Sequence, residues 1–257
     1  MTHRSTIARR ALLGAALSLA PALALAAVPA ARPFVAGQTT NVLPKTKAPM
    51  KIGIVGSGNV GGNLGEVFTR AGHKVMFSDR DPAAAKARAE RAPGSITGTV
   101  EQAIAYGDIV VLAVPLIVFP DFAKENLARL KGKVMIDVSN PNREREGAAM
   151  YDAVLAQGSG SYVAGLFPGV RVVRAFSSFG APDMSTQAGR PGEKAGVPLA
   201  SNDRAAMDRV AVLVRDSGFE PVIVGDADSA RKFEQRQPGN GVYGASELRK
   251  RLGLPPA

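Results

Sequence analysis

The chain has 257 residues, 46% of them hydrophobic, enough for one large domain or for one domain with a small lobe. It has no cysteine, which excludes disulfides, thiolate catalysis and cysteine-ligated metal centres, and its two histidines, His3 and His73, leave no donor set for a histidine metal site or a Ser–His–Asp triad. The formal charge of +10 comes from scattered basic residues, with aromatics at 5% and no nucleic-acid-binding motif, so it reads as a solvated basic surface and not as a nucleic-acid partner.

Residues 1–31 read as a signal peptide of the twin-arginine type. Arg9 and Arg10 precede an apolar stretch, Ala11 to Ala27, broken by Pro21, and Ala24 and Ala26 form a small-residue cleavage site. The expectation is an exported, periplasmic or otherwise extracytoplasmic protein that engages the twin-arginine export machinery. The apolar run is too short and too rich in alanine to leave a stable membrane span after cleavage. Residues 32–49, with Pro33, Pro44 and Pro49, read as an extended linker.

The organising stretch runs from Lys51 to Pro82. Ile52 to Val55 is a short, β-branched apolar run, the pattern of a strand buried on both faces. Gly56-Ser57-Gly58-Asn59-Val60-Gly61 follows, and then Val60, Leu64, Val67 and Phe68 recur at helical spacing up to Gly72. Lys74 to Phe77 is a second strand, and Asp79 lies about twenty residues beyond the glycines. Strand, glycine turn, helix, strand and acidic residue form the dinucleotide-binding fingerprint in its required context. Gly56 permits the tight turn, Gly58 lets the backbone approach a pyrophosphate, and Gly61 lets the helix pack closely on the sheet. The start of the helix supplies unpaired N–H groups and a positive dipole end for the phosphates. His73 reads as a helix-end residue favoured by that dipole at its far end.

Asp81 and Pro82 cap and open a helix over residues 83–91. Ser95 to Thr99 is a short strand candidate and Val100 to Tyr106 a short helix. Asp108 to Val114 is a buried strand ending at Pro115, Phe119 to Leu130 a helix, and Lys133 to Val138 a strand followed by Ser139-Asn140-Pro141. Further strands are expected at residues 170–176, 197–200 and 220–224, a helix at residues 203–217, helical turns at residues 229–235, and a helix at residues 246–252 capped by Ser246. Strands alternating with helices imply an α/β fold, a Rossmann-type doubly wound parallel sheet. Residues 50–226 form its NAD(P)-binding domain, and residues 227–257 a small C-terminal extension completing the substrate side. Ligands of such sheets bind beyond the carboxyl ends of the strands, where Gly56, Asp79, Pro115 and Asn140 fall.

The runs IGIVGSGNVGGNLG, AGHKVMFSDRDP, DIVVLAVP, KVMIDVSNP, VVRAF and LVRDSGFEPVIVG, in that order, resemble the NADPH-dependent reductases of the deazaflavin coenzyme F-420 and the dinucleotide-binding enzymes grouped with them. The resemblance covers nearly everything from Met50 to Leu254. It implies hydride transfer between NADP and a deazaflavin, flavin or other small redox acceptor. Residue by residue, it implies that Gly56 to Gly61 hold the pyrophosphate, that Ala113, Val114 and Pro115 pass beneath the nicotinamide ribose, and that Ser139, Asn140 and Pro141 flank the nicotinamide.

The chain departs from the family pattern twice. Asp79-Arg80 stands where the family often has Ser-Arg, and Ser177 where Asn is frequent. Arg80 suits a 2′-phosphate and Asp79 a free 2′-hydroxyl. With Ser78 as a further donor, NADP is the favoured cofactor, and NAD is the alternative. No Tyr-x-x-x-Lys relay is present, and no catalytic residue can be named. Transfer to a deazaflavin or flavin-like ring needs mainly alignment, so a site poor in acid–base groups is compatible with it. A dinucleotide-binding protein without turnover, a sensor or scaffold, and an NAD-specific reductase are the other readings. A homodimer is the default assembly.

Overall fold

The computed structural model describes residues 48–257, which lie within one compact unit. The expected signal peptide at residues 1–31 and most of the expected linker, up to residue 47, lie outside the described residues. No helix among the described residues is long and apolar enough to cross a membrane.

One eight-stranded sheet runs through the described chain in the order β3-β2-β1-β4-β5-β6-β7-β8. Its strands are β1 (Lys51–Val55), β2 (Lys74–Ser78), β3 (Ile96–Thr97), β4 (Ile109–Leu112), β5 (Val134–Asp137), β6 (Arg171–Arg174), β7 (Gly196–Ala200) and β8 (Glu220–Gly225). The helices are α1 (Asn59–Arg70), α2 (Pro82–Arg91), α3 (Val100–Tyr106), α4 (Phe119–Leu130), α5 (Arg143–Glu146), α6 (Ala148–Gln157), α7 (Ser159–Leu166), α8 (Ala181–Thr186), α9 (Arg204–Asp216) and α10 (Ala245–Arg251).

The two-residue period of the strands divides the core between the two faces of the sheet. Ile109 and Val111 of β4 join Ile52 and Ile54 of β1 beneath Leu64, Val67 and Phe68 of α1 and the apolar stripe of α9. Val110 and Leu112 point the other way, onto Phe119 and Phe122 of α4 and onto Val154 and Val163. Every residue of β4 and β5 is buried, which explains why these strands read as apolar runs and not as alternating ones, with Asp137 at the end of β5 the exception. Each such isoleucine or leucine contributes about 1.5–3 kcal/mol on burial.

Local signals set many element ends. Asp81 accepts a hydrogen bond from Ala83 N at the start of α2, with Pro82 in its first turn. The strand expected at residues 95–99 shrinks to Ile96–Thr97, because Thr99 and Gln102 form a reciprocal capping box for α3. The last helix begins at Ala245 with Gly244 at its cap, and Ser246 donates its N–H to Glu193 instead of capping.

The sheet is the expected Rossmann-type parallel one except at β7. The link from β6 stays at one end of the sheet, with the six-residue α8 as its only helix, so β7 returns antiparallel to β6 through the single register pair Arg174–Ala200. Pro198, which has no N–H to give, lies in a stretch of β7 that pairs with β8 alone. The α9 crossover then restores parallel pairing between β7 and β8. Residues 228–233 form a 3-10 helix, and with α10 it covers Ala200, Val222 and Val224.

His73 does stand at the end of α1, its N–H donating to Phe68 O (3.0 Å), but burial rather than the helix dipole governs it. It is 4% exposed, accepts the Met50 N–H at Nδ1 (3.2 Å), and sets Nε2 at 3.6 Å from the Asp216 carboxylate. Burial pushes its pKa below the ordinary 6.5, and attraction to Asp216 opposes that shift without reversing it. A depressed imidazole pKa means the unfolded chain takes up a proton that the folded protein refuses. Stability from this group is therefore complete above pH 6.5 and falls as the pH drops below it, until His73 protonates in the folded state too. His73→Gln is expected to flatten that slope in thermal denaturation followed across the interval.

Candidate active site

The site is built at the carboxyl ends of β1, β2, β4, β5 and β6. Gly56 ends β1 with φ +95°, and its N–H donates to Ser78 O at the end of β2 (3.0 Å). A Cβ on Gly56 would meet Ala113 O at 2.6 Å, and one on Gly61 would meet Gly56 O at 2.0 Å. The turn is thus clasped between β2 and β4. Around Gly58 the space is open, with nothing within 4 Å of where a Cβ would stand. Gly58 caps α1 without a side chain, and no acidic residue lies in the first turn. The leading N–H groups of α1 therefore have neither a carbonyl partner in the helix nor an acidic side chain in its first turn.

Asp79 locks onto this turn. Its Oδ2 accepts from Ser57 N (2.6 Å) and its Oδ1 from Asp81 N (3.1 Å). The Ser57 hydroxyl donates to Ser78 O (3.0 Å), and the Ser78 hydroxyl donates to Ile54 O (2.7 Å). Ser78 is fully buried and its hydroxyl is turned into the sheet, which corrects the expectation that it assists a 2′-phosphate. Arg80 is exposed beyond it.

A cleft of about 290 Å³ opens beside the turn. Seven residues expected from the sequence share its lining: Asn59, Val60, Ala113, Val114, Pro115, Ser139 and Asn140. Gly56, Ser57, Gly58 and Gly61 form the turn next to it, and Pro141 is buried and does not line the cleft. Of the far wall, the sequence singled out Ser177 and the C-terminal segment that carries Gln235, and the rest was not anticipated. The wall comes from Phe176, Ser177, Phe179, Met184, Asn142, Arg145 and Gln235.

Phe176 holds a left-handed backbone, φ +61°, a conformation that costs a bulky residue about 1–3 kcal/mol. Its ring stands edge-on to Phe68 and to Phe219, each with centroids at 5.8 Å, and the packing holds the turn. The turn ends β6 and presents Ser177 O to Asn140 Nδ2 (3.1 Å). Asn140 Oδ1 and the Ser177 hydroxyl are buried without a hydrogen-bond partner. Among the described residues that line the cleft, Arg145 is the one ionisable side chain, and it is paired with Glu146 at 2.9 Å.

Beneath the turn, Arg88 of α2 donates from Nε to Ser57 O (3.2 Å) and pairs with the buried Glu66 of α1 (3.1 Å). Sequence reading missed this brace. The available signal was a glutamate set among the apolar positions of α1.

Residues 51–141 match the family model described as NADP oxidoreductase, coenzyme F420-dependent. The rat metalloreductase STEAP3 is 31% identical over 194 residues, which cover 75% of this chain and 37% of that protein. The chain thus spans little more than a third of that relative's length. The crystal structure of a hypothetical protein from Sinorhizobium meliloti superposes with a TM-score of 0.64 at 24% identity, covering 74% of this chain and 92% of that one. A protein from Arthrobacter sp. FB24, proposed to be an F420-dependent NADP reductase, gives 0.61 at 24% identity, over 71% and 87% of the two chains. Both share the fold, a mostly parallel sheet between layers of helices. Through residues 51–141 the chain is thus similar to the coenzyme F420-dependent NADP oxidoreductases, and over most of the described residues it shares the fold of these two structures.

Proposed function

We propose that the protein binds NADP(H) along the carboxyl ends of β1, β2, β4 and β5. A hydride then passes between the nicotinamide and a small ring acceptor, a deazaflavin or a flavin, seated against Phe176, Phe179, Met184 and Gln235. The supporting observation is the cleft itself, which joins an anion-receptive helix start to a wall with two unsatisfied buried polar atoms, Asn140 Oδ1 and Ser177 Oγ. A diphosphate fits the open space at Gly58, and a carboxamide, with one donor group and one acceptor, fits the unmatched pair.

The nicotinamide, when bound, supplies the hydride chemistry. The chain's own residues bind, orient and exclude water. The α1 start and the Ser57–Asp79 clasp hold the polar backbone of the ligand. Ala113 to Pro115 support one side of the cleft, and Phe176 and Phe179 keep the opposite wall apolar. No carboxylate, imidazole, phenol or amine lines the cleft among the described residues, so this wall has no proton to deliver. That composition favours an acceptor that needs alignment alone over a carbonyl that needs a protein acid. Calorimetric titration with NADPH and NADH, followed by NADPH oxidation against deazaflavin, flavin and quinone acceptors, tests the reading. Tight binding without oxidation by any acceptor would make this a dinucleotide-binding protein without turnover.

The clasp of Asp79 on Ser57 supports a second reading, in which the carboxylate meets a free ribose 2′-hydroxyl and NAD(H) is the preferred nucleotide. Two variants separate the readings. Arg80→Ala is expected to weaken NADPH by about 10-fold or more, the worth of a charge-assisted contact, and to leave NADH unchanged. Asp79→Ser is expected to strengthen NADPH. A loss of NADH affinity in Asp79→Ser, with NADPH indifferent to Arg80→Ala, would favour NAD.

A further inference from the structure

Two charged side chains lie inside the sheet with almost no access to water. Arg174 on β6 is 1% exposed and Asp137 on β5 is 0% exposed, and the two stand opposite each other in the β5–β6 register. The guanidinium reaches Asp137 Oδ2 from Nη1 at 2.5 Å and Ser139 O from Nη2 at 2.6 Å, with the Ser139 hydroxyl 3.4 Å from Nη1. Asp137 Oδ1 accepts the Ser139 N–H at 2.8 Å. Both main-chain polar groups of Ser139 and its hydroxyl therefore end on one ion pair. Arg174 Nε has no partner.

Stability does not explain such a pair, because two well-packed apolar side chains of similar volume are usually at least as stable as a buried ion pair. Its place in the fold does. Ser139 leads into Asn140, whose side chain ties β5 to Ser177 at the end of β6, and those two residues carry the unmatched atoms of the cleft. The glycine turn at the other end of the site is held by different contacts, from Ser78, Asp79 and Arg88.

We propose that Asp137 and Arg174 are positioning residues for the nicotinamide end of the site. Neither lines the cleft. They fix the backbone of Ser139 from inside the sheet, and through it the direction of Asn140 toward Ser177. Their loss would loosen the grip on the nicotinamide and leave the adenylate grip intact. This rests on the dinucleotide site proposed above.

The test compares whole nucleotides with their adenylate halves on the full protein, by calorimetry: NADPH against adenosine 2′,5′-diphosphate, and NADH against ADP. The variant Asp137→Leu/Arg174→Met removes the pair without stranding a charge. It is expected to raise the Kd of the preferred whole nucleotide by about 10-fold or more and to leave that of the adenylate half within about twofold. Arg174→Lys, which keeps the charge but not the fork, is expected to fall between wild type and the double variant, and it carries the same comparison if the double variant does not fold. Parallel loss of both ligands, or loss of neither, overturns the proposal while the function stands. Failure of the wild-type protein to bind either whole nucleotide overturns the function and the proposal together.

Discussion

Gly61→Ala is expected to damage the fold and the nucleotide site in one step, whereas Gly58→Ala, three residues earlier, should damage the site alone. A Cβ at position 61 would stand 2.0 Å from Gly56 O, 2.9 Å from the Ala113 Cβ and 3.1 Å from the Ile54 side chain. Two of those neighbours belong to β1 and its turn and the third to the end of β4, so the methyl group can be admitted only if α1 lifts off the sheet. Overpacking of this kind costs about 3 kcal/mol or more against main-chain atoms that cannot swing aside. The same shift breaks the turn, so nucleotide binding should vanish with it. At position 58 nothing lies within 4 Å, and φ −64° suits any residue. The stability change there should stay within about 1 kcal/mol, the small difference between glycine and alanine at a helix cap. Nucleotide affinity should nonetheless fall by about 10-fold or more, because the added methyl group occupies the space a diphosphate needs. Thermal denaturation and calorimetric titration of both variants check the contrast. Equal stability of the two proteins would show that α1 is not packed as described.

The second large effect is expected from breaking the Asp137–Arg174 pair one side at a time. Arg174→Met strands a carboxylate that is 0% exposed, and Asp137→Leu strands a guanidinium whose side chain is 1% exposed. Either single change should cost about 3–5 kcal/mol, the usual penalty for an uncompensated buried charge. The double change should recover most of that loss, so the two single effects should be far from additive. Denaturant unfolding, read at the midpoint with the slope checked for constancy, measures all three. A double variant as unstable as the sum of the singles would mean that the pair contributes packing and not mutual neutralisation.

The fold-defining part of the chain is legible because its signals are local. β1, the glycine turn, α1 and β2 lie within thirty or so consecutive residues, and their periodicities switch where the glycines stand. β4 and β5 announce themselves as apolar runs because both faces of the sheet are covered. The segment from residue 141 to residue 170 is much harder to read. It holds α5, α6 and α7, which are short and separated by Gly147 and Gly158 at positive φ. α6 and α7 are apolar on most sides, so they lack the stripe that marks a surface helix. The composition of residues 170–176 suggests a strand reaching Phe176, yet β6 stops at Arg174, because Phe176 takes a left-handed backbone held by the rings of Phe68 in α1 and of Phe219 just before β8.

Half of the candidate site follows the same division. Asn59, Val60, Ala113 to Pro115, Ser139 and Asn140 belong to strand ends, and strand ends of a parallel sheet gather at one edge whatever the loops do. Asn142 and Arg145 come from the loop and the short α5 after β5, Phe176, Ser177, Phe179 and Met184 from the left-handed turn and α8 after β6, and Gln235 from the C-terminal segment, none of which carries a periodic signal in the sequence.

The sequence by itself therefore determined the glycine-turn side of the cleft: the order of strand, turn and helix, the glycines where side chains cannot fit, and the acidic residue that reaches back to the turn. Only the tertiary structure decided the far wall of the cleft, the reversal of β7, the buried pair joining residues 137 and 174, and the burial of His73. The physical reason is range. Periodicity and turn chemistry act between residues a few positions apart and are written in their order. Which strand lies beside which, and what a buried charge finds as its partner, is settled by packing among residues far apart in the chain.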